Sequence, residues 1–169
     1  GIERDLKGGV RARIGGETVS ALSELARQLP LVLLDTDGLE VVTGPPERRR
    51  RLLDGILFHV EPSFLKLWRR YQHAVRQRNG GLRHGILESD LAWRSEIAHI
   101  GEKLTTIRAA ASEEIGTRLG ALSSALSGDL EGLDVRFRSG WDRKESLFEA
   151  LERSINRFHR SVNCYKTWL

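Results

Sequence analysis

Between Arg48 and Arg83 the chain places ten lysines and arginines against two carboxylates, Asp54 and Glu61. That span carries a net charge of +8, while the whole 169-residue chain carries +4. Cations gathered in one segment are the footprint of a polyanion partner, because each one that meets a phosphate releases condensed counterions. A solvated helix face with no partner has the same composition. The densest stretch, Glu47 to Asp54, reads ERRRRLLD and follows Gly44-Pro45-Pro46. Arginines in the first turns of a helix oppose its dipole, so they need an external anion or local acids such as Glu47.

Other chemistries find little support. No GxxxxGK[ST] loop occurs, so no phosphate cradle of that kind is encoded. The histidines at 59, 73, 84, 99 and 159 lack metal-ligand spacing, and no HExxH is present. The one cysteine, Cys164, has no evident His or Asn partner for nucleophilic catalysis. We therefore expect no catalytic residue and no metal site in this chain. Tryptophans 68, 93, 141 and 168 can stack bases or fill packing gaps, and Trp68 falls on an apolar stripe that favours the core.

The elements that position the cations follow from periodicity. GVRARI (9–14) alternates like a strand and ends at Gly15-Gly16. Thr18 is expected to cap a short helix, with Val19, Leu22, Leu25 and Ala26 on one face, that stops at Pro30. LVLLD (31–35) reads as a buried strand. Pro46 opens a helix through Ile56, and Pro62 suits the first position of the next. That helix carries Phe64, Trp68, Tyr71 and Val75 on one stripe, and Arg69, Arg70, His73, Arg76 and Arg78 on the others. It is expected to end near Asn79-Gly80-Gly81.

A longer helix spans about 89–126. Its seam runs through Ile97, Ile100, Leu104, Ile107, Ala111, Ile115, Leu119, Leu122 and Leu126, as in a short coiled coil or a bundle core. The two helices are expected to pair antiparallel as an arm. LDVRF (133–137) alternates like a strand, and 143–160 reads as a final helix with Leu147, Ala150, Leu151 and Ile155 inward. The order is that of an α/β domain, mostly helical here, with a helical insertion.

Mean hydropathy is −0.35 and 40% of residues are apolar, which is the balance of a soluble globular protein. No apolar run approaches the roughly 18 residues that span a bilayer, and no secretory leader is visible at the N-terminus. A single cysteine fits a reducing, cytoplasmic compartment. The sequence has no methionine at all, which suggests a fragment of a longer protein.

Several ordered motifs carry a resemblance. Thr36-Asp37, Gly44-Pro45-Pro46, Arg49-Arg50, Leu52-Leu53-Asp54, Pro62 and Gln77-Arg78-Asn79 follow one another as in the central part of the RecF family, bacterial DNA replication and repair proteins. The later pattern Trp93, Ile97, Gly101, Leu104 and Arg108, the Gly140-Trp141 pair, and Leu151-Glu152-Arg153 extend it. Pro45, Thr36 and Arg94 depart from the family pattern, which has a glycine, a proline and an acid there. Residues 156–169 match poorly.

The resemblance implies part of an ABC-type ATPase head (a P-loop NTPase fold related to the SMC proteins) with an inserted helical lobe containing a short antiparallel arm. Residues 1–43 would end one part of the ATPase lobe, 44–130 would form the helical lobe, and 131–169 would return toward the head. It also implies ATP and Mg²⁺ as cofactors of the full protein, although Walker A, Walker B and signature motifs are absent here. The implied partners are double-stranded DNA near single-strand gaps, RecO, RecR and RecA, and a second copy in an ATP-dependent homodimer. The implied setting is recombinational repair and the SOS response. Arg49, Arg50, Arg69, Arg70, Arg76 and Arg78 are the candidates for DNA contact or dimer positioning. Asp54, Gln77 and Asn79 are motif residues with structural roles, and Asp37 falls near the expected phosphate-sensing loop. The competing reading is a helical protein–protein interaction module whose basic face meets an acidic partner.

Overall fold

The structure is a computed structural model, and it describes residues 1–5, 10–19, 21–30, 36–126 and 132–158. The strand expected at 31–35 lies outside the described residues, as does Ile155's expected inward side chain. The chain divides into two units, Gly1–Val60 and Glu61–Leu169.

In the first unit, strands β1 (Ile2–Arg4), β2 (Val10–Ile14) and β3 (Glu17–Val19) form an antiparallel sheet in that order. Ala12 pairs with both Ile2 and Val19 and is 3% exposed. Gly15 and Gly16, at φ +60° and +93°, make the two-residue loop that joins β2 to β3. Both values are positive, as a hairpin turn matching the strand twist requires. This overturns the expected cap at Thr18, which pairs with Arg13 inside β3 instead. Helix α1 (Leu22–Gln28) starts after Ala21 with no side-chain cap, and none of its residues is buried. A 3₁₀ turn at Thr36–Leu39 leads into α2 (Glu40–Thr43), and α3 (Pro46–Val60) opens on a proline that has no N–H to leave unsatisfied.

The second unit is built on α4 (Phe64–Arg83), α5 (Asp90–Leu126) and α6 (Leu147–Phe158). Arg108 faces Phe64, Glu96 faces Arg70, Trp93 faces His73 and Asp90 faces Arg78, so α4 and α5 run antiparallel. Their shared core is Phe64, Tyr71, Ala74 and Leu82 against Ile97, Ile100 and Leu104, and α6 adds Leu147, Ala150 and Leu151.

Three boundaries differ from expectation. Pro62 sits in the turn before α4, where the Glu61 carboxylate accepts both the N–H and the hydroxyl of Ser63. These bonds hold the Glu61 carboxyl below its ordinary range. Second, α4 continues through Gly80 and Gly81. It closes at Gly85 (φ +71°), with Ile86 N–H donating to Gly81 C=O and Gly85 N–H to Leu82 C=O. This is the paired bonding of a left-handed glycine cap. Third, α6 starts at Leu147 because Ser146 and Glu149 cap each other: Ser146 N–H donates to Glu149 Oε2 at 2.8 Å and Glu149 N–H to Ser146 Oγ at 3.2 Å.

Residues 133–139 form no strand, contrary to expectation. Among the described residues, no backbone hydrogen bond joins 133–138 to another segment. The alternation is still visible, with Val135, Phe137 and Ser139 half-buried between exposed neighbours. A strand exists only where a ladder partner satisfies it.

Candidate nucleic-acid interface

The arginines at the start of α3 are held locally. Arg48 pairs with Glu40 at 2.7 Å, and Arg50 pairs with Glu47 at 2.7 Å one turn back. Arg49 Nη1 donates to the carbonyls of Val41, Val42 and Gly44 at 3.1, 3.3 and 3.1 Å. These carbonyls close α2, where the helix dipole is negative, so one guanidinium offsets the end of α2 while crowding the start of α3. The electrostatic conflict is thus met by local acids and carbonyls. Arg51 is exposed with no ion pair among the described residues. Asp54 is half-buried further along α3. Asp37 falls in the 3₁₀ turn, and its side chain lies outside the described residues.

Helix α4 separates its charges by face. Lys66, Arg69, His73, Arg76 and Arg83 are exposed and fall within an arc of about 100°, along about 25 Å of helix, at 3.6 residues per turn and 1.5 Å rise. Lys66, Arg76 and Arg83 make no ion pair among the described residues. Arg70 flanks this stripe but reaches across to Glu96, at 2.6 Å. Gln77 is exposed and Asn79 half-buried near the end of the helix. His73 meets Trp93 edge-on, with ring centroids 5.9 Å apart.

Arg78 does not join the exposed stripe. It is 2% exposed, and its Nε donates to Asp90 Oδ1 at 2.7 Å while Nη2 lies 3.4 Å from the Leu151 carbonyl. Asp90 Oδ2 is 3.7 Å from Arg94 Nε, and Arg94 Nη1 reaches Glu152 at 2.9 Å. Arg94 also stacks over Phe148, with its guanidinium carbon 4.5 Å from the ring centroid. Buried charges persist only when paired, so this cluster ties α4, α5 and α6 together. Burial pushes the neighbouring Tyr71 phenol well above its usual range, against the opposing pull of Arg108 and Arg78.

Sequence reasoning put Arg78 among the outward cations, did not single out Asp90, and named Glu152 only within the Leu151-Glu152-Arg153 motif. The signal was present: Phe64, Tyr71 and Arg78 recur at steps of seven, which keeps all three on the apolar stripe. Among the described residues no group of three His, Cys, Asp or Glu can hold a metal, and no helix is long and apolar enough to cross a membrane.

No family model matches the sequence. Among curated relatives, the DNA replication and repair protein RecF of Stutzerimonas stutzeri (strain A1501) is 39% identical over 159 residues. RecF of Pseudomonas fluorescens (strain SBW25) is 38% identical and that of Pseudomonas syringae pv. tomato 36%, each over 159 residues. Each match takes in 93% of this chain, and the chain spans 43% of each relative's length. Over nearly its whole length, the chain resembles a fragment of RecF.

Proposed function

We propose that this chain is the DNA-facing helical part of a RecF-type replication and repair protein, with α4 presenting its exposed basic stripe to duplex phosphates. The observation that carries the reading is the row formed by Lys66, Arg69, Arg76 and Arg83, set on one helix face and backed by a buried core. The resemblance to RecF over 93% of the chain supports it. In the whole protein, this face acts beside single-strand gaps in recombinational repair, alongside RecO, RecR and RecA and within an ATP-dependent homodimer.

ATP and Mg²⁺ belong to that whole protein. The residues of this chain do not fit them: no GxxxxGK[ST] loop occurs in its sequence, and no carboxylate–histidine cluster stands among the described residues. Asp37 is the position proposed to face a nucleotide bound elsewhere in the whole protein.

The test is fluorescence anisotropy on a labelled 20-bp duplex across 50–200 mM salt. Four phosphate contacts give a log–log slope near −3.6, and each of Arg76→Ala and Arg83→Ala reduces it by about 0.9. A flat salt response sinks the reading. If an acidic protein binds this face and duplex DNA fails to displace it, the chain is a protein-interaction module instead.

A further inference from the structure

The segment 135–143 runs beside the middle of α5 and leaves an open groove of about 1000 Å³. Val135 fixes its approach, since a methyl group at Gly116 of α5 would lie 3.6 Å from the Val135 Cβ. Val135 and Phe137 are half-buried and alternate with Asp134, Arg136 and Arg138, which are exposed. The segment therefore already has the two faces of a strand. What it lacks is a ladder: among the described residues, no backbone hydrogen bond joins 133–138 to another segment.

The far end of the segment is set by a tight turn. Gly140 has φ +66°, a value that L side chains avoid, and the turn is closed twice. Trp141 N–H donates to Ser139 C=O at 2.6 Å, and Ser139 Oγ donates to Trp141 C=O at 2.9 Å. The turn leaves Trp141 half-buried at the groove wall, near Phe137 in the sequence. The charge along the groove is unevenly matched. Arg136 is engaged by Asp134 and Arg153 by Glu145, whereas Arg138 and Arg143 are exposed and make no ion pair among the described residues. The Asp142 carboxylate is already occupied by the Lys144 N–H at 3.0 Å.

We infer that this segment receives an acidic, extended peptide of a partner protein as an added strand. The peptide main chain pairs with 133–138, its apolar side chains turn toward Phe137 and Trp141, and its carboxylates meet Arg138 and Arg143. Three observations select that occupant. Backbone donors and acceptors outside any ladder are completed by another polypeptide backbone. The alternation of half-buried and exposed residues asks for a partner that alternates in the same way. The uncommitted charge is positive, which asks for acids. A second copy of this chain would bring a segment with two arginines against one aspartate over 133–138, so charge disfavours it. The inference does not rest on the α4 reading.

The experiment is fluorescence anisotropy with the full 169-residue chain and a fluorescein-labelled probe peptide, Glu-Asp-Ile-Glu-Phe-Glu-Ile-Asp-Glu. The peptide binds, and Arg138→Glu with Arg143→Glu weakens it about tenfold, because two exposed ion pairs become two repulsions. A peptide with lysine at every acidic position binds that variant better than it binds the original chain. Both arginines are exposed, so the variant keeps the fold, as circular dichroism checks. N-methylation of the peptide at one alternate set of residues abolishes binding and at the other set leaves it intact, because only one edge of an added strand faces 133–138. Equal binding by the two N-methylated forms overturns the inference, as it leaves a charged surface with no ladder. Absence of binding by the parent peptide, or unchanged affinity in the arginine variant, also overturns it. So does a dimer in sedimentation velocity that Phe137→Asp dissociates, which assigns the edge to a second copy.

Discussion

Arg78 and Asp90 form a buried ion pair, 2% and 6% exposed, whose Nε–Oδ1 distance is 2.7 Å. The same carboxylate lies beside Arg94. One acid therefore serves two interior guanidiniums that arrive from different helices. Asp90→Asn keeps the shape and removes the charge, and is expected to cost about 3–5 kcal/mol in urea unfolding. Arg78→Met with Asp90→Leu should recover much of that loss, because both charges of the pair go together and Arg94 keeps Glu152 as its acid. A loss below about 1 kcal/mol for Asp90→Asn would show that the pair does not hold the helices.

Glu96 restrains a cation that would otherwise join the exposed face. Its carboxylate takes both Nε and Nη2 of Arg70, at 2.7 and 2.6 Å. Glu96→Gln should raise duplex affinity and steepen the salt slope by about 0.9, one further phosphate contact. Anisotropy titrations read this directly, and an unchanged slope would mean that Arg70 stays clear of DNA.

The cap on α6 makes a pH prediction. The Ser146 N–H and hydroxyl both donate to Glu149, which holds its carboxyl below the ordinary value of 4.5. A carboxylate with a lowered folded pKa contributes stability that is present above that ordinary value and lost as pH falls through the lowered one. Glu149→Gln should therefore flatten part of the acid limb of the unfolding curve, below about pH 4.5. Ser146→Ala should cost about 1 kcal/mol at neutral pH.

Arg49 is expected to act through structure first. Arg49→Ala strips three carbonyls at the end of α2 of their donor, which should speed amide exchange at Gly44, whose N–H bonds to Glu40 C=O. Arg50→Ala should leave that exchange unchanged, because the Arg50 guanidinium is held by Glu47 within its own helix. Equal rates in the two variants would remove the distinction.

Periodicity made the helices readable, because an apolar stripe at steps of three and four is written locally. Arg78 was misplaced where residue type was weighed above register. Asn79-Gly80-Gly81 looked like a stop, but about 1 kcal/mol per glycine is a modest cost against packing Leu82, which is 7% exposed. That 133–137 forms no ladder was not legible, since pairing depends on a neighbour that the segment itself does not encode. Thr18 is a good cap by type, yet the two-residue Gly15-Gly16 loop commits the chain to a returning strand. In the candidate interface, the exposed α4 cations were legible from spacing. Glu47, which engages Arg50, was legible as the acid beside the arginine run; Glu40 and Glu96, which engage Arg48 and Arg70 from eight or more residues away, were not, because only contact selects them.

Helix α5 has 37 residues and α4 has 20, or about 55 Å against 30 Å at 1.5 Å per residue. Its seam is sealed at Ile97, Ile100 and Leu104, yet Leu122 and Leu126 are 59% and 77% exposed. Beyond the reach of α4 the helix thus ends in a ridge of two leucines with Ser123 buried between them, a handle through which a neighbour that covers Leu122 and Leu126 would grip the whole bundle.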